Sequence, residues 1–121
     1  MHAYATKDIF WRALVAIRQQ DFDGARDQFC LQCHSAIATR GGEVYPGFSF
    51  DDFSPISLEG VTCEACHKVA SLAREFNSGH VLDEDGPIRG PIEDPVPNSF
   101  HESEFSPLHD ESRFCAGCHP Q

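Results

Sequence analysis

FCLQCH, at residues 29–34, contains two cysteines three positions apart and a histidine directly after the second. The same Cys-x-x-Cys-His arrangement returns as CEACH at 63–67 and as CAGCH at 115–119. On a helical turn, residues three apart lie on one face, so both sulfurs can reach one flat ligand while the histidine points at its centre. The pattern is typical of covalent attachment of c-type haem, with the histidine as the proximal iron ligand.

The three motifs use all six cysteines of the chain, so three c-type haems with their irons are predicted. We expect each motif on a short helix or helical turn. The cofactor-binding residues are then Cys30, Cys33, Cys63, Cys66, Cys115 and Cys118. The proximal metal ligands are His34, His67 and His119.

Three other interpretations of the cysteine pairs are weaker. A structural zinc ion takes four protein ligands, and three pairs cannot form whole four-cysteine sites. A redox dithiol of the thioredoxin type is expected once, near a strand–helix–strand pattern. A disulfide framework would not place a histidine after every pair.

At 121 residues the chain is predicted to form a single triple-haem domain, 1–121. Three haems in so short a chain must supply much of the apolar core, and without haem we expect no stable fold. Ten Phe, one Trp and two Tyr suit that interior, because flat rings pack well against a macrocycle. The predicted fold class is mainly α with extensive irregular loop, compact, with the three haems as its core.

Hydrophobic spacing and turn residues predict the elements. An amphipathic helix is expected over 5–20, where Ile9, Phe10, Ala13, Leu14 and Ile17 recur at helical spacing and Trp11 and Val15 widen the apolar stripe. Further helices are expected over 24–34, 61–75 and 111–119, each carrying one motif. Residues 41–60 look irregular, and five prolines argue against helix or central strand in the stretch 77–107.

The formal net charge of −10, from 19 acidic and 9 basic residues, argues against nucleic acid and anionic membrane surfaces as partners. A basic redox partner protein fits the charge, although solubility alone also explains it. No stretch has the apolar length of a membrane span, and no signal peptide is present. Because c-type haem is normally attached outside the bacterial cytoplasm, we expect a periplasmic or extracellular protein whose export signal is not in this chain.

Four histidines remain as candidate distal ligands for three irons: His2, His80, His101 and His109. Since Met1 is the sole methionine, haems with histidine on both faces are expected, with low potential. Each of the four can also be a solvated surface side chain. His2, His101 and His109 are the stronger candidates and His80 the weaker. A spare histidine could serve a neighbouring chain's haem or act as an acid or base beside an open iron.

The segments that link the motifs resemble the multihaem cytochromes c of the cytochrome c-554 type. The resemblance spans nearly the whole chain, through Met1–Ala5, Phe29–His34, Gly60–Val69, Asp85–Gly90, Asp94–Val96, Phe100–Ser103, Ser106–His109 and Phe114–His119. It implies His2, His101 and His109 as distal ligands. Similar sequences usually carry another haem motif ahead of the first of these segments, so the chain is expected to be part of a longer multihaem protein.

Electron transfer is the favoured function, with three haems relaying electrons between redox partners. The protein is then an electron carrier and not an enzyme, and we expect it to belong to a larger complex, a filament or a homo-oligomer. The alternative is a multihaem oxidoreductase of the hydroxylamine or nitrite type. Such an enzyme needs one iron with an open distal position, and four spare histidines for three irons do not argue for one.

Overall fold

The N-terminal part of the chain is helical. In the computed structural model, which describes residues 2–119, a 3-10 helix at His2–Lys7 leads into α1, Ile9–Phe22. The side chain of Asp8 begins α1, because it accepts hydrogen bonds from the backbone N–H groups of Phe10 and Trp11, at 2.9 and 3.2 Å. The helix predicted over 5–20 is therefore shifted by a few residues and preceded by a separate 3-10 turn.

A turn at Asp23-Gly24 ends α1. Both residues have positive φ, 49° and 72°, which is a common way to end a helix. Glycine is required at 24 for a second reason, because a Cβ there would lie 2.7 Å from the backbone nitrogen of Gly47. The chain then turns back into α2, Asp27–His34, which carries the first motif, and α3, Ala36–Arg40.

Residues up to Thr62 form one compact unit with its own apolar core. Irregular chain follows α3, as predicted for 41–60, except for 3-10 helices at Phe50–Asp52 and Ser57–Glu59. In this core, one buried side chain from each of α1, α2 and α3 packs against three buried side chains from the chain that follows α3. The six residues are Val15, Leu31, Ala38, Val44, Phe48 and Phe53.

The buried side of α1 differs from the apolar stripe that its sequence suggests. Val15 is buried and Trp11 packs against the core. Phe10, Leu14 and Ile17, which define the stripe, are exposed to 79%, 59% and 52%. Because apolar residues surround most of this helix, periodicity locates the helix but does not select the side that packs on α2.

Glu43 accepts three hydrogen bonds inside this unit. They come from the Ser54 backbone N–H at 2.8 Å, the Ser54 hydroxyl at 2.7 Å and the Ser57 hydroxyl at 3.0 Å. Burial by itself would raise the pKa of Glu43, but the hydrogen bonds from Ser54 and Ser57 outweigh burial and lower the pKa from its ordinary value. The carboxylate form is therefore favoured in the folded unit.

We expect the stability of the protein to fall on acidification partly because of Glu43. With its folded pKa below its unfolded pKa, Glu43 stabilises fully above the unfolded value, and this contribution disappears as pH falls through the folded value. Glu43→Gln should flatten the pH dependence between about pH 5 and pH 3. Denaturant unfolding followed by circular dichroism measures this, with Glu59→Gln at an exposed site as the control. Identical pH slopes for wild type and Glu43→Gln would refute the expectation.

Residues from Cys63 onward form the second compact unit. Its helices are α4, Cys63–His67, and α5, Arg113–Ala116, with a 3-10 helix at Pro107–Asp110. Its strands are β1, Val69–Leu72, β2, His80–Leu82, β3, Ile88–Gly90, and β4, Ser103–Phe105. β1 pairs with β2 antiparallel, and β3 pairs with β4 in parallel, from Ile88 opposite Ser103 to Gly90 opposite Phe105.

The prediction of one helix over 61–75 is wrong beyond His67. The helix ends there, and Val69–Leu72 becomes a strand because it pairs with His80–Leu82. The β-branched Val69, fully buried, suits a strand. The paired residues are eight to thirteen positions apart, so a short window of sequence does not contain both strands and shows only the local helix propensity.

The prediction of continuous loop over 77–107 is also wrong in part, since β2, β3 and β4 lie in it. The prolines flank β3 and do not interrupt it: Pro87 precedes Ile88–Gly90 and Pro91 follows it. The rest of the stretch is irregular. About 44% of the described residues are helical and 11% are in strands, so the fold is mainly α with loops, as predicted. The single domain predicted for 1–121 stays a prediction.

Candidate functional site

The first motif lies at the end of α2. Leu31, between its cysteines, is fully buried, and Cys30 packs against the core of the first unit. The His34 ring stacks on Trp11, with ring centres 4.5 Å apart and an angle of 7° between the planes. The 3-10 helix that contains His2 packs against α2, so His2 and the first motif belong to neighbouring elements.

The second motif forms α4, and its histidine is held by β3. Nδ1 of His67 lies 2.5 Å from the backbone oxygen of Arg89. Since a carbonyl oxygen can only accept, Nδ1 carries the proton and Nε2 keeps its lone pair. Metal-binding histidines commonly have one ring nitrogen anchored in this way, which sets the tautomer and the direction of the ring.

His109 lies beside His67. The two ring centres are 5.9 Å apart and the planes are 12° from parallel. Nδ1 of His109 is 2.9 Å from the Ser106 hydroxyl, and Nε2 is 3.1 Å from the Cys66 backbone oxygen. Burial lowers the pKa of His109, which favours the neutral imidazole that binds iron.

The third motif begins in α5 and continues for one turn. The backbone N–H of His119 donates to Cys115 O at 2.9 Å, so the motif keeps helical geometry although α5 ends at Ala116. The predicted helix over 111–119 is therefore shorter, with its final residues in a turn.

His80 lies against this third motif. Its Nε2 donates to Phe114 O at 2.8 Å, and its Nδ1 is 3.6 Å from the sulfur of Cys118. A Cβ on Gly117 would lie 2.5 Å from the His80 ring, so this close approach needs glycine. His80, the weaker candidate from sequence, thus contacts the motif itself.

His101 is exposed, and its hydrogen bonds are local. Its Nδ1 lies 3.2 Å from the Ser103 hydroxyl, and its backbone N–H donates to Asn98 at 3.2 Å. The ring borders a cleft of about 440 Å³, whose other walls are Pro87, Pro95, Pro97, Asn98 and Glu102–Glu104. The described contacts do not bring His101 to any of the three motif histidines.

The donor set fits covalent haem better than the alternatives. None of the six cysteines forms a disulfide. Across residues 2–119, no group of three or more His, Cys, Asp or Glu side chains is arranged to hold a metal ion by itself. Burial, and then the neighbouring Cys115 and Cys63, raise the pKa of Cys66, so this thiol stays protonated. What remains is three Cys-Cys-His groups, each on a helical turn, as thioether attachment and iron ligation require.

Sequence reasoning missed the residues that orient the histidines. Arg89 O holds His67, Ser106 holds His109, and the Phe114 ring lies 4.6 Å from that of His109. The only available signal was that these three residues fall inside the segments quoted for the cytochrome resemblance. No local pattern distinguishes such supporting residues from ordinary ones.

A family model described as cytochrome c554 and c-prime matches residues 1–68, more than half of the chain. The matched region contains the first two motifs and ends before the third. No curated protein and no solved structure matches the chain. Within the described part of the chain, no helix has the length and apolar character to cross a membrane. The chain therefore belongs to the cytochrome c554 and c-prime family, a family of c-type haem proteins of electron transport.

Proposed function

We propose that the protein is a multihaem electron-transfer cytochrome with three haems, one attached at each motif, and with histidine on both faces of each iron. Each cysteine thiol adds across a vinyl group, so that sulfur bonds to one carbon and hydrogen to the other. The bound irons supply one-electron chemistry between the ferric and ferrous states. The observation that carries the proposal is the pairing of His67 with His109.

The geometry of that pair suits two ligands of one iron. The two ring centres are 5.9 Å apart, so both imidazoles could hold one iron between them. Both Nδ1 atoms already have partners, Arg89 O and the Ser106 hydroxyl. His109 Nε2 donates to Cys66 O here, so iron binding would require the other tautomer, with the proton on Nδ1 and donated to the Ser106 hydroxyl. His109 is therefore proposed as the distal ligand of the second haem.

The other distal ligands follow with less direct support. His2 is proposed for the first haem, because its 3-10 helix packs against α2. His101, which the resemblance implies as a distal ligand, is proposed for the third haem because His2 and His109 are proposed for the other two. His80 is proposed to position the third motif instead, because its two ring nitrogens are directed at Phe114 O and the Cys118 sulfur.

The second unit has little apolar core of its own. Among the described residues, its buried hydrophobic side chains are Val69, Leu108 and Ala116. A core of this size stabilises little by itself. This supports the proposal that haem supplies part of the interior.

The proposed partners are redox proteins with a basic contact surface, because the chain carries a net charge of −10. The exposed stripe of Phe10, Leu14 and Ile17 supports association in a larger assembly, since contiguous apolar patches are unusual on a monomeric surface. The proposed location is periplasmic or extracellular, where c-type haem is attached.

Purified protein from a host that attaches c-type haem tests the proposal. We expect a mass that exceeds the polypeptide by three haems, a resting spectrum that is entirely low-spin, and rapid reduction and reoxidation by small redox mediators. A mass increase of one or two haems would contradict the haem count. A high-spin component at rest, with turnover of nitrite or hydroxylamine, would favour the oxidoreductase alternative instead.

A further inference from the structure

Arg89 has a buried donor without a partner. Its side chain is 12% exposed, and its Nη1 atom makes no hydrogen bond to any of residues 2–119. Buried polar groups in native proteins are nearly always paired, and a buried guanidinium nitrogen is especially costly to leave unpaired. We therefore expect this nitrogen to bind an acceptor that does not belong to residues 2–119.

The one comparable atom in the described chain has a local explanation. Arg18 Nε is also buried without a hydrogen bond, but its guanidinium lies over the Phe22 and Phe29 rings, 5.4 and 5.8 Å from their centres. Aromatic faces attract a cation and partly replace an acceptor. Within residues 2–119 no aromatic ring lies over the Arg89 guanidinium, so its Nη1 atom needs another partner.

The rest of the Arg89 side chain is held in place. Nη2 is 2.9 Å from Asp83 Oδ2, and Nε is 3.0 Å from Glu104 Oε2. Both carboxylates are partly exposed, 43% and 54%, so water screens their charge. These contacts occupy Nε and Nη2 and leave Nη1 for a third acceptor.

Arg89 also belongs to the His67–His109 site. Its backbone oxygen accepts the hydrogen bond from His67 Nδ1, and its positive charge acts on His109. Lys68 is the neighbouring cation in sequence, but its Nζ donates to Gly86 O. Arg89 is therefore the cation with a free donor next to the proposed second haem.

We propose that Arg89 Nη1 binds a propionate carboxylate of the haem attached at Cys63 and Cys66, and that Arg89 thereby raises the reduction potential of that haem. This inference rests on the proposed function. A guanidinium binds carboxylate strongly in a partly buried setting, because the hydrogen bond is charge-assisted. Oxidation adds one positive charge at the iron, and the fixed charge of Arg89 disfavours it.

The test uses the haem-loaded protein and the variants Arg89→Gln and Arg89→Lys. Arg89→Gln should favour the ferric state of one haem by about tenfold, a fall of about 59 mV for one electron. Arg89→Lys keeps the charge and should keep most of the potential. Arg113→Gln is the matched control, because Arg113 is exposed and ion-paired with Glu111, and it should leave all potentials unchanged. Spectroelectrochemistry gives the potentials.

The redox-linked infrared difference spectrum reports on the propionate itself, and its carboxylate band should shift in Arg89→Gln. Unchanged potentials and an unchanged band in Arg89→Gln would overturn the inference while the haem count and low-spin spectrum of the wild type still support the proposed function. If Arg89→Gln does not retain haem, the carboxylate band of Arg89→Lys decides: a shifted band supports the contact and an unshifted one refutes it. A wild-type protein without haem at Cys63 and Cys66 would instead refute the proposed function.

Discussion

His109→Ala should convert one haem from low-spin to high-spin while all haems stay attached. The proximal His67 and the thioether bonds at Cys63 and Cys66 do not depend on His109, so attachment should survive. The iron loses the imidazole on its opposite face, and a short alanine side chain cannot replace that ligand. We expect one haem to become fully high-spin, because His109 is the one histidine among the described residues whose ring lies beside that of His67.

Absorption and electron paramagnetic resonance spectra measure the spin state, and intact mass measures the haem count. Ser106→Ala is an informative companion variant, because it removes the Nδ1 partner of His109 and keeps the ligand. It should weaken the ligand field without making the haem fully high-spin. A fully low-spin His109→Ala protein with unchanged mass would show that another group binds this iron.

The double variant Cys63→Ala, Cys66→Ala should lose one haem entirely. Both thioether bonds of the second site are then absent, and two haems in place of three should appear in the mass. The second unit should also unfold more readily, because it buries few hydrophobic side chains of its own and would lose the haem proposed to bind His67 and His109.

Thermal unfolding followed by circular dichroism measures the loss of stability, which we expect to be larger than that caused by His109→Ala. Adding His109→Ala to the double cysteine variant should leave the spectrum of the remaining haems unchanged, since the iron that His109 binds is gone. The pair Cys30→Ala, Cys33→Ala is the control for haem loss elsewhere: there, His109→Ala should still produce one high-spin haem. Further spectral change when His109→Ala is added to the variant lacking Cys63 and Cys66 would reassign His109 to a different haem.

Much of the helical architecture was predictable from the sequence. The cysteine spacing predicts helical turns at all three motifs, and Asp8, Asp23 and Gly24 mark the limits of α1 through capping and positive φ. These features depend on a few neighbouring residues, and a short sequence window contains all of them. The motifs are local in the same way, and both the resemblance seen in the sequence and the family match over 1–68 indicate a c-type cytochrome.

The strands were not predictable in this way. β1 forms because Val69–Leu72 meets His80–Leu82, and β3 forms because Ile88–Gly90 meets Ser103–Phe105. Each pairing joins separate stretches of a chain rich in proline and glycine, so its stability comes from the partner strand. The exposure of Phe10, Leu14 and Ile17 on α1 also depends on tertiary packing, because the side of α1 with Trp11 and Val15 packs in the core.

The amino-acid sequence by itself determined the haem-attachment chemistry of this protein, because two thiols and an imidazole act together within five consecutive residues. It also supplied the candidate distal histidines, but not their assignment. Only the tertiary structure brought His109 beside His67 and buried Arg89 Nη1 without a hydrogen bond from residues 2–119. Those relations depend on how β3 and the Pro107–Asp110 helix pack around α4, and contacts between such distant segments are stable only when the whole unit folds.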